Sequence, residues 1–208
     1  MVNQITNHTF GVSTLTEEDL NIIEQVIEES ELKLDDAIMI KDEDSDKLLS
    51  DTSVRSCKTG FLPPRDEIVQ LFGKLIQDYN KNHSGWNYDL EFIEAVQLGH
   101  YYEGDFYDWH IDSFKDPRIR TNQEVNPDKP YNRKVSVTVW LNDPEEYEGG
   151  QFDLEIRGPN CEGERYETMK YDKGTIVVFP SHMWHRVRPV TSGVRKSLVL
   201  WIQGPPFK

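Results

Sequence analysis

Cysteine is almost missing from this sequence: Cys57 and Cys161 are the only two in 208 residues. Two thiols cannot build a disulfide framework, and their separation lacks the short spacing of a zinc site. No run of about 18 apolar residues occurs, so no transmembrane helix is expected. The first residues, "MVNQITNHTFGVS", have neither a basic n-region nor an apolar h-region, so no signal peptide is expected either. A reducing, cytoplasmic setting follows as the expectation. Basic residues are also short: 23 Lys and Arg face 37 Asp and Glu, a formal charge of −14. Such a balance argues against a sequence-independent nucleic-acid binder, which needs a basic face for phosphates. Internal repeats and low-complexity tracts are lacking too.

The deficit of positive charge is uneven. Residues 1–54 carry 14 Asp or Glu against 3 Lys, a balance of −11, whereas residues 183–208 hold five basic residues and no acid. A basic C-terminal stretch in an acidic chain suits a small anion held locally, or a plain surface gradient.

At 37% hydrophobic and 11% aromatic residues, the composition supports one well-buried domain over residues 1–208. An acidic segment, 1–60, comes first and contains one helix. "TEEDLNIIEQVIEES" opens with Thr16 three residues ahead of Asp19, a capping box. Leu20, Ile23 and Ile27 follow at helical spacing. Residues 33–54 read as irregular surface, with "AIMI" as a short strand. A supporting helix and loop occupy 61–89: Pro63-Pro64 start the helix, and Ile68, Phe72, Leu75, Ile76 and Tyr79 share one stripe. "NKNHSGWN" reads as the loop after it.

From about residue 90 to 208 the period falls to two. "LEFIEAVQL", "RKVSVTVWLN", "QFDLEIR", "RYETMKY", "GTIVVFP" and "SLVLWI" are separated by turn signals such as "DPEEYEGG" and "GPNCEGE". Two helices followed by six or more short strands predict a mainly β, α+β fold of the jelly-roll kind, with helices on one side. Within "RKVSVTVWLN", Val135, Val137, Val139 and Leu141 face the helices. Lys134, Ser136, Thr138, Trp140 and Asn142 form the other face, which is polar enough to line a ligand-holding barrel.

Chemistry concentrates in two places. "YYEGDFYDWHID" (101–112) sets His110 two residues before Asp112, on one side of an extended chain. "FPSHMWHRVRPVTSGVRKSLVLWI" adds His182 and His185 near a strand end. Two histidines and one carboxylate are the ligand set of non-haem Fe(II) oxygenases, and the lack of cysteine ligands argues against structural zinc. A lone H-x-D is weak, and a lone His near a strand end is ordinarily structural. Both together, with Arg195 ten residues after His185, carry more weight. Arg195 shares a strand face with Ser197, Val199 and Trp201, whereas Lys196 lies opposite. Its guanidinium can grip a carboxylate through two parallel hydrogen bonds.

The series Tyr101-x-x-Gly104-x-x-Tyr107-x-x-His110-x-Asp112, Glu148-Gly149-Gly150, Lys173-Gly174-Thr175, His185-Arg186-Val187 and Arg195 resembles the 2-oxoglutarate/Fe(II)-dependent dioxygenase superfamily. Its order and spacing over roughly residues 90–206 are similar to the prolyl 4-hydroxylase-like, PKHD-type branch. The resemblance implies a double-stranded β-helix (jelly roll, cupin-like) as the dioxygenase core of residues 90–208. It also implies Fe(II) on His110, Asp112 and His185, with Arg195 and Tyr101 on the distal carboxylate of 2-oxoglutarate. His185 is preferred to His182 for its "HRV-x-PV-x-x-G-x-R" context.

The implied reaction is hydroxylation of an unactivated C–H bond with O2 and 2-oxoglutarate as co-substrates. L-Ascorbate is a candidate reductant. A prolyl or other protein side chain is the first substrate expectation, and a free amino acid or small metabolite the rival. A nucleic-acid demethylase of the same superfamily would want a second arginine beyond Arg195, which the sequence does not reveal. A non-catalytic β-barrel binding module is the alternative of a different class. For substrate contact the candidates are Tyr107, Trp109 and Trp184 lining the metal cavity. Arg118, Arg120 and Tyr131 join them from the polar 113–134 segment, a candidate lid.

Overall fold

The computed structural model describes residues 5–6, 9–37, 52–62, 65–119, 129–158 and 160–207. Helix α1, Glu17–Glu29, starts at the expected cap. The Thr16 side chain accepts from the Asp19 amide, and the Asp19 carboxylate accepts from the Thr16 amide. Helix α2, Asp66–Asp78, begins after Arg65, and Pro63-Pro64 lie outside the described residues. The helix does not end in a loop at Asn80. A π-turn, Tyr79–His83, carries it on, held by Ser84 donating back to Tyr79.

Two larger antiparallel sheets and a separate two-stranded pair make the β architecture. In the major sheet the strands run Ile5–Thr6, Gly11–Thr14, Thr175–Pro180, Pro130–Trp140, Arg195–Gly204, Val96–Tyr101, Lys58–Leu62 and Asp35–Asp36. The minor sheet runs Tyr166–Met169, Phe152–Glu155, His185–Val187, Phe106–His110 and Arg55–Ser56. Strand alternation decides what each face meets. Val135, Val137 and Val139 pack with Ile23 and Val26 of α1 and with Ile68, Phe72 and Ile76 of α2, so the helices cover the outer face of the major sheet. Trp140, Phe152, Leu154, Val177 and Phe179 form a second core on the inner side, between the sheets.

Residues 33–62 contain more structure than expected. Asp35–Asp36, Arg55–Ser56 and Lys58–Leu62 all pair as strands, and Gly11–Thr14 pairs with Thr175–Val178. Ala37 is buried without being a strand, and the rest of "AIMI" lies outside the described residues. The strand at 130 also begins earlier than its sequence pattern. Pro130-Tyr131 pair with Arg118-Ile119, so the 113–134 segment has paired ends. "DPEEYEGG" is not only a turn, since Tyr147–Gly149 pairs with Val190–Gly193.

Candidate active site

Sheet register brings the two histidines together. His185 sits directly across from His110 on the neighbouring antiparallel strand, although 75 positions separate them in the chain. Asp112 follows just beyond that strand. Its amide and that of Ser113 both donate to the Ser181 carbonyl, at 2.9 and 3.0 Å. This anchor turns the carboxylate inward. His110 Nε2 lies 3.9 Å from Asp112 Oδ1, and His185 Nε2 lies 3.4 Å from Asp112 Oδ2. One ligand atom from each residue falls within 4.8 Å of the other two, a fit for a single metal ion.

The imidazole tautomers follow from their partners. His110 Nδ1 is 2.7 Å from the Asp108 carbonyl and His185 Nδ1 is 2.9 Å from the Met183 carbonyl. A carbonyl only accepts, so each Nδ1 carries the proton and each Nε2 presents a lone pair. Burial, then the adjacent His185, holds the His110 pKa well below the usual histidine range. Burial alone would raise the Asp112 carboxyl, but His185, His110 and Arg133 overcome it and keep the group far below the ordinary carboxylate range. A neutral imidazole and an ionised carboxylate are the protonation states that bind a divalent cation. Ser136 adds to this by donating to Asp112 Oδ2 at 2.7 Å.

Arg195 stands on the facing wall of the same cavity, with Ser197, Val199 and Trp201 along one strand face as alternation predicts. It is 1% exposed. Nη1 donates to Ser197 Oγ, whereas Nε and Nη2 make no hydrogen bond among the described residues. Two such donors on a buried guanidinium suit a bidentate anion. Tyr101 is paired in register with Arg195, its ring 5.4 Å from the guanidinium carbon. Lys196 points to the opposite side, beside Glu24 and Ile27 of α1.

The aromatic candidates divide. Tyr107 lines the cavity and stacks on the His110 ring at 3.5 Å between centroids. Trp109 and Trp184 do not line it, contrary to expectation. Each adjoins a metal ligand, His110 or His185, and strand alternation turns it to the other face. A β-bulge is what brings Tyr107 in: His185 pairs with His110 but Val187 pairs with Tyr107, which puts one extra residue on the 106–110 strand. The bulge lets both Tyr107 and His110 face inward, while Trp109 packs outward against Tyr166 and the Arg186 guanidinium. Trp184 is 47% exposed, on the outward side of the residue before His185. His182 is exposed, against Phe207, away from the metal ligands.

Arg118 and Tyr131 are likewise not among the lining residues. They pack on Phe114, and Arg120 lies outside the described residues. Several lining residues were not anticipated, among them Gln97, Phe152, Phe179 and Arg55. Arg55, from the acidic N-terminal segment, is a second guanidinium in this cavity, so the absence of a second arginine inferred from the sequence is corrected. Its sequence neighbourhood carries no motif, and only the pairing of Arg55 with Tyr107 brings it in.

Comparison with known proteins agrees with this geometry. A PKHD-type hydroxylase of Hyphomonas neptunium is 37% identical over 105 residues, covering 49% of this chain and 39% of its own. One from Idiomarina loihiensis is 30% identical over 111 residues, covering 53% of this chain and 43% of its own. The chain thus spans about two-fifths of the length of these curated relatives. Among solved structures, a Pseudomonas putida prolyl-4-hydroxylase superposes with a TM-score of 0.63 at 19% identity, covering 96% of this chain and 95% of its own. A Trichoplax adhaerens prolyl hydroxylase, in complex with a hypoxia inducible factor peptide fragment, gives 0.64 at 18%, covering 94% and 84%. At such identities the likeness is one of fold, the jelly roll of these oxygenases. The 2OG-Fe(II) oxygenase superfamily model matches residues 96–203, which hold the ligand triad and Arg195. That match takes in just over half of the 208 residues, and the chain belongs to the 2OG-Fe(II) oxygenase superfamily.

Proposed function

We propose that the protein is a 2-oxoglutarate-dependent Fe(II) hydroxylase that converts an unactivated C–H bond to C–OH. One observation carries the proposal: a cavity that holds three convergent metal-ligand atoms also contains a buried arginine with two unpartnered donors. A binding module has no need of both.

His110, Asp112 and His185 would hold the iron through two Nε2 atoms and a carboxylate oxygen, leaving the remaining positions open. Arg195 would fix the distal carboxylate of 2-oxoglutarate with Nε and Nη2, and Tyr101 would add its hydroxyl. Bound Fe(II) supplies O2 activation, and 2-oxoglutarate supplies two electrons as it becomes succinate and CO2. The protein's own share is positioning and exclusion of water. Phe152, Phe179 and Val187 wall the metal site with apolar surface. L-Ascorbate is the candidate reductant for keeping iron ferrous between turnovers.

A prolyl or other protein side chain is the first substrate reading, in keeping with the peptide held by the Trichoplax neighbour. A free amino acid or small metabolite is the second, and the position of Arg55 favours it. The reaction class is tested with anaerobic Fe(II) and 2-oxoglutarate. A weak visible charge-transfer band should form, vanish in Asp112→Ala and be followed in air by succinate release. Absence of the band in the wild type would sink the proposal.

A further inference from the structure

Two guanidinium groups share the cavity, and only Arg195 is accounted for by the co-substrate. Arg55 is 8% exposed and sits at the edge of the minor sheet, in register with Tyr107. Its Nη2 donates to Gln97 Oε1 at 2.8 Å, and its Nε donates to Cys57 Sγ at 3.1 Å. The guanidinium carbon lies 4.5 Å from the centre of the Tyr107 ring, which in turn covers the ring of His110. Every one of these partners is neutral: an amide, a phenol ring and a thiol that burial keeps protonated. No carboxylate among the described residues forms an ion pair with Arg55.

A buried cation with only neutral partners is costly, because an amide oxygen, a thiol and a ring face replace only part of the hydration it has lost. Charge counting in the loaded site says what the counter-ion is. Fe(II), Arg195 and Arg55 bring four positive charges, whereas Asp112 and dianionic 2-oxoglutarate bring three negative. Arg133, whose charge acts on Asp112, is already neutralised by Glu94, which accepts from both Nε and Nη2. One positive charge therefore stays uncompensated when the co-substrate is in place. It is located on Arg55, beside the ring that covers a metal ligand.

We infer that Arg55 binds a carboxylate of the primary substrate, which is then a small acid of amino-acid size rather than an internal residue of a peptide. The inference rests on the hydroxylase reading and narrows its substrate class. The same carboxylate chemistry could be offered by the C1 end of 2-oxoglutarate, and the experiment separates the two sources.

Anaerobic protein loaded with Fe(II) and 2-oxoglutarate is titrated with each of the twenty L-amino acids and with the matching amino-acid amides, following the visible band. At least one acid should perturb the band at a concentration tenfold or more below its amide. That perturbation should be lost in Arg55→Gln and partly restored in Arg55→Lys, with the affinity for 2-oxoglutarate changed less than threefold in both. If no acid outperforms its amide, or if Arg55→Gln responds as the wild type does, the inference is overturned. A tenfold or greater loss of 2-oxoglutarate affinity in Arg55→Gln assigns Arg55 to the co-substrate and also overturns it. Native circular dichroism of both variants shows that the fold is intact. Failure of the band itself in the wild type is a different result, which removes the hydroxylase reading and this inference along with it.

Discussion

Ser136 Oγ donates to Asp112 Oδ2 at 2.7 Å and lies 2.9 Å from Ser181 Oγ, so one buried hydroxyl ties the carboxylate ligand to the major sheet. The backbone of Ser181 holds the same residue from the other side, accepting from the Asp112 amide. Asp112 is thus fixed at main chain and side chain by residues that never touch the metal position. Partners of this kind set the angle at which a ligand meets its ion.

Ser136→Ala should therefore weaken Fe(II) binding by about 10- to 100-fold without unfolding the chain. Anaerobic equilibrium dialysis against Fe(II), with a thermal melt of the same sample, measures both. Wild-type metal affinity in the variant would mean that the Ser181 backbone alone orients Asp112.

Gly150 tests how the co-substrate arginine is seated. Its φ is +63°, and a Cβ there would lie 3.1 Å from Arg195 Cδ and 3.0 Å from Val190 Cγ2. Both the backbone and the contact resist a side chain, at a cost of about 1–3 kcal/mol. Gly150→Ala should displace the guanidinium and raise the apparent KM for 2-oxoglutarate about tenfold or more, while Fe(II) affinity remains near wild type. Equal losses for metal and co-substrate would argue instead for general collapse of the site.

Acid should destabilise the metal-free chain before the carboxylates titrate. Burial, then Lys196, depresses the pKa of His100 from about 6.5. A histidine depressed in the folded state binds fewer protons there than in the unfolded chain. Its contribution is complete above pH 6.5 and declines as the pH falls toward the folded value. Melting temperatures in chelator should drop between pH 7 and 5, and His100→Gln should flatten that slope. An unchanged slope would mean that His100 does not contribute.

Phe72 anchors α2 to the outer face of the major sheet and is fully buried among core residues. Phe72→Ala should cost about 3–5 kcal/mol by loss of transfer energy and creation of a cavity. Urea unfolding would show this as a lower midpoint at unchanged slope.

What could be read along the chain follows the range of the interaction. The Thr16 cap, the stripe on α2 and the alternating valines of "RKVSVTVWLN" depend on neighbours within a few residues, and their periods are visible in order. His110, Asp112, His185 and Arg195 were legible for another reason: their residue types and spacing carry a chemical pattern that few other arrangements share. Trp109 and Trp184 adjoin His110 and His185, so strict alternation would have excluded both from the cavity, and only Tyr107 departs from it. A single bulged residue between Tyr107 and His110 puts both on the inward face, and nothing in "YDWH" announces it. Arg55 was illegible because its role comes from a strand of two residues, Arg55–Ser56, too short for any periodic signal.

By itself, the order of residues determined the classes of structure and the chemistry available: two amphipathic helices, alternating strands from about residue 90, an imidazole–carboxylate ligand set, and an arginine on an inward face, whereas the strands before and between the helices were not legible in it. Hydrophobic period and residue type are local properties, and they survive in the linear chain. Tertiary structure alone decided which groups meet. Cross-strand register set His185 against His110, a bulge turned Tyr107 to the same side as His110, and an edge pairing put the Arg55 guanidinium into the same cavity as Arg195. These are long-range pairings whose energy is shared among many backbone hydrogen bonds, so no single stretch of sequence records them.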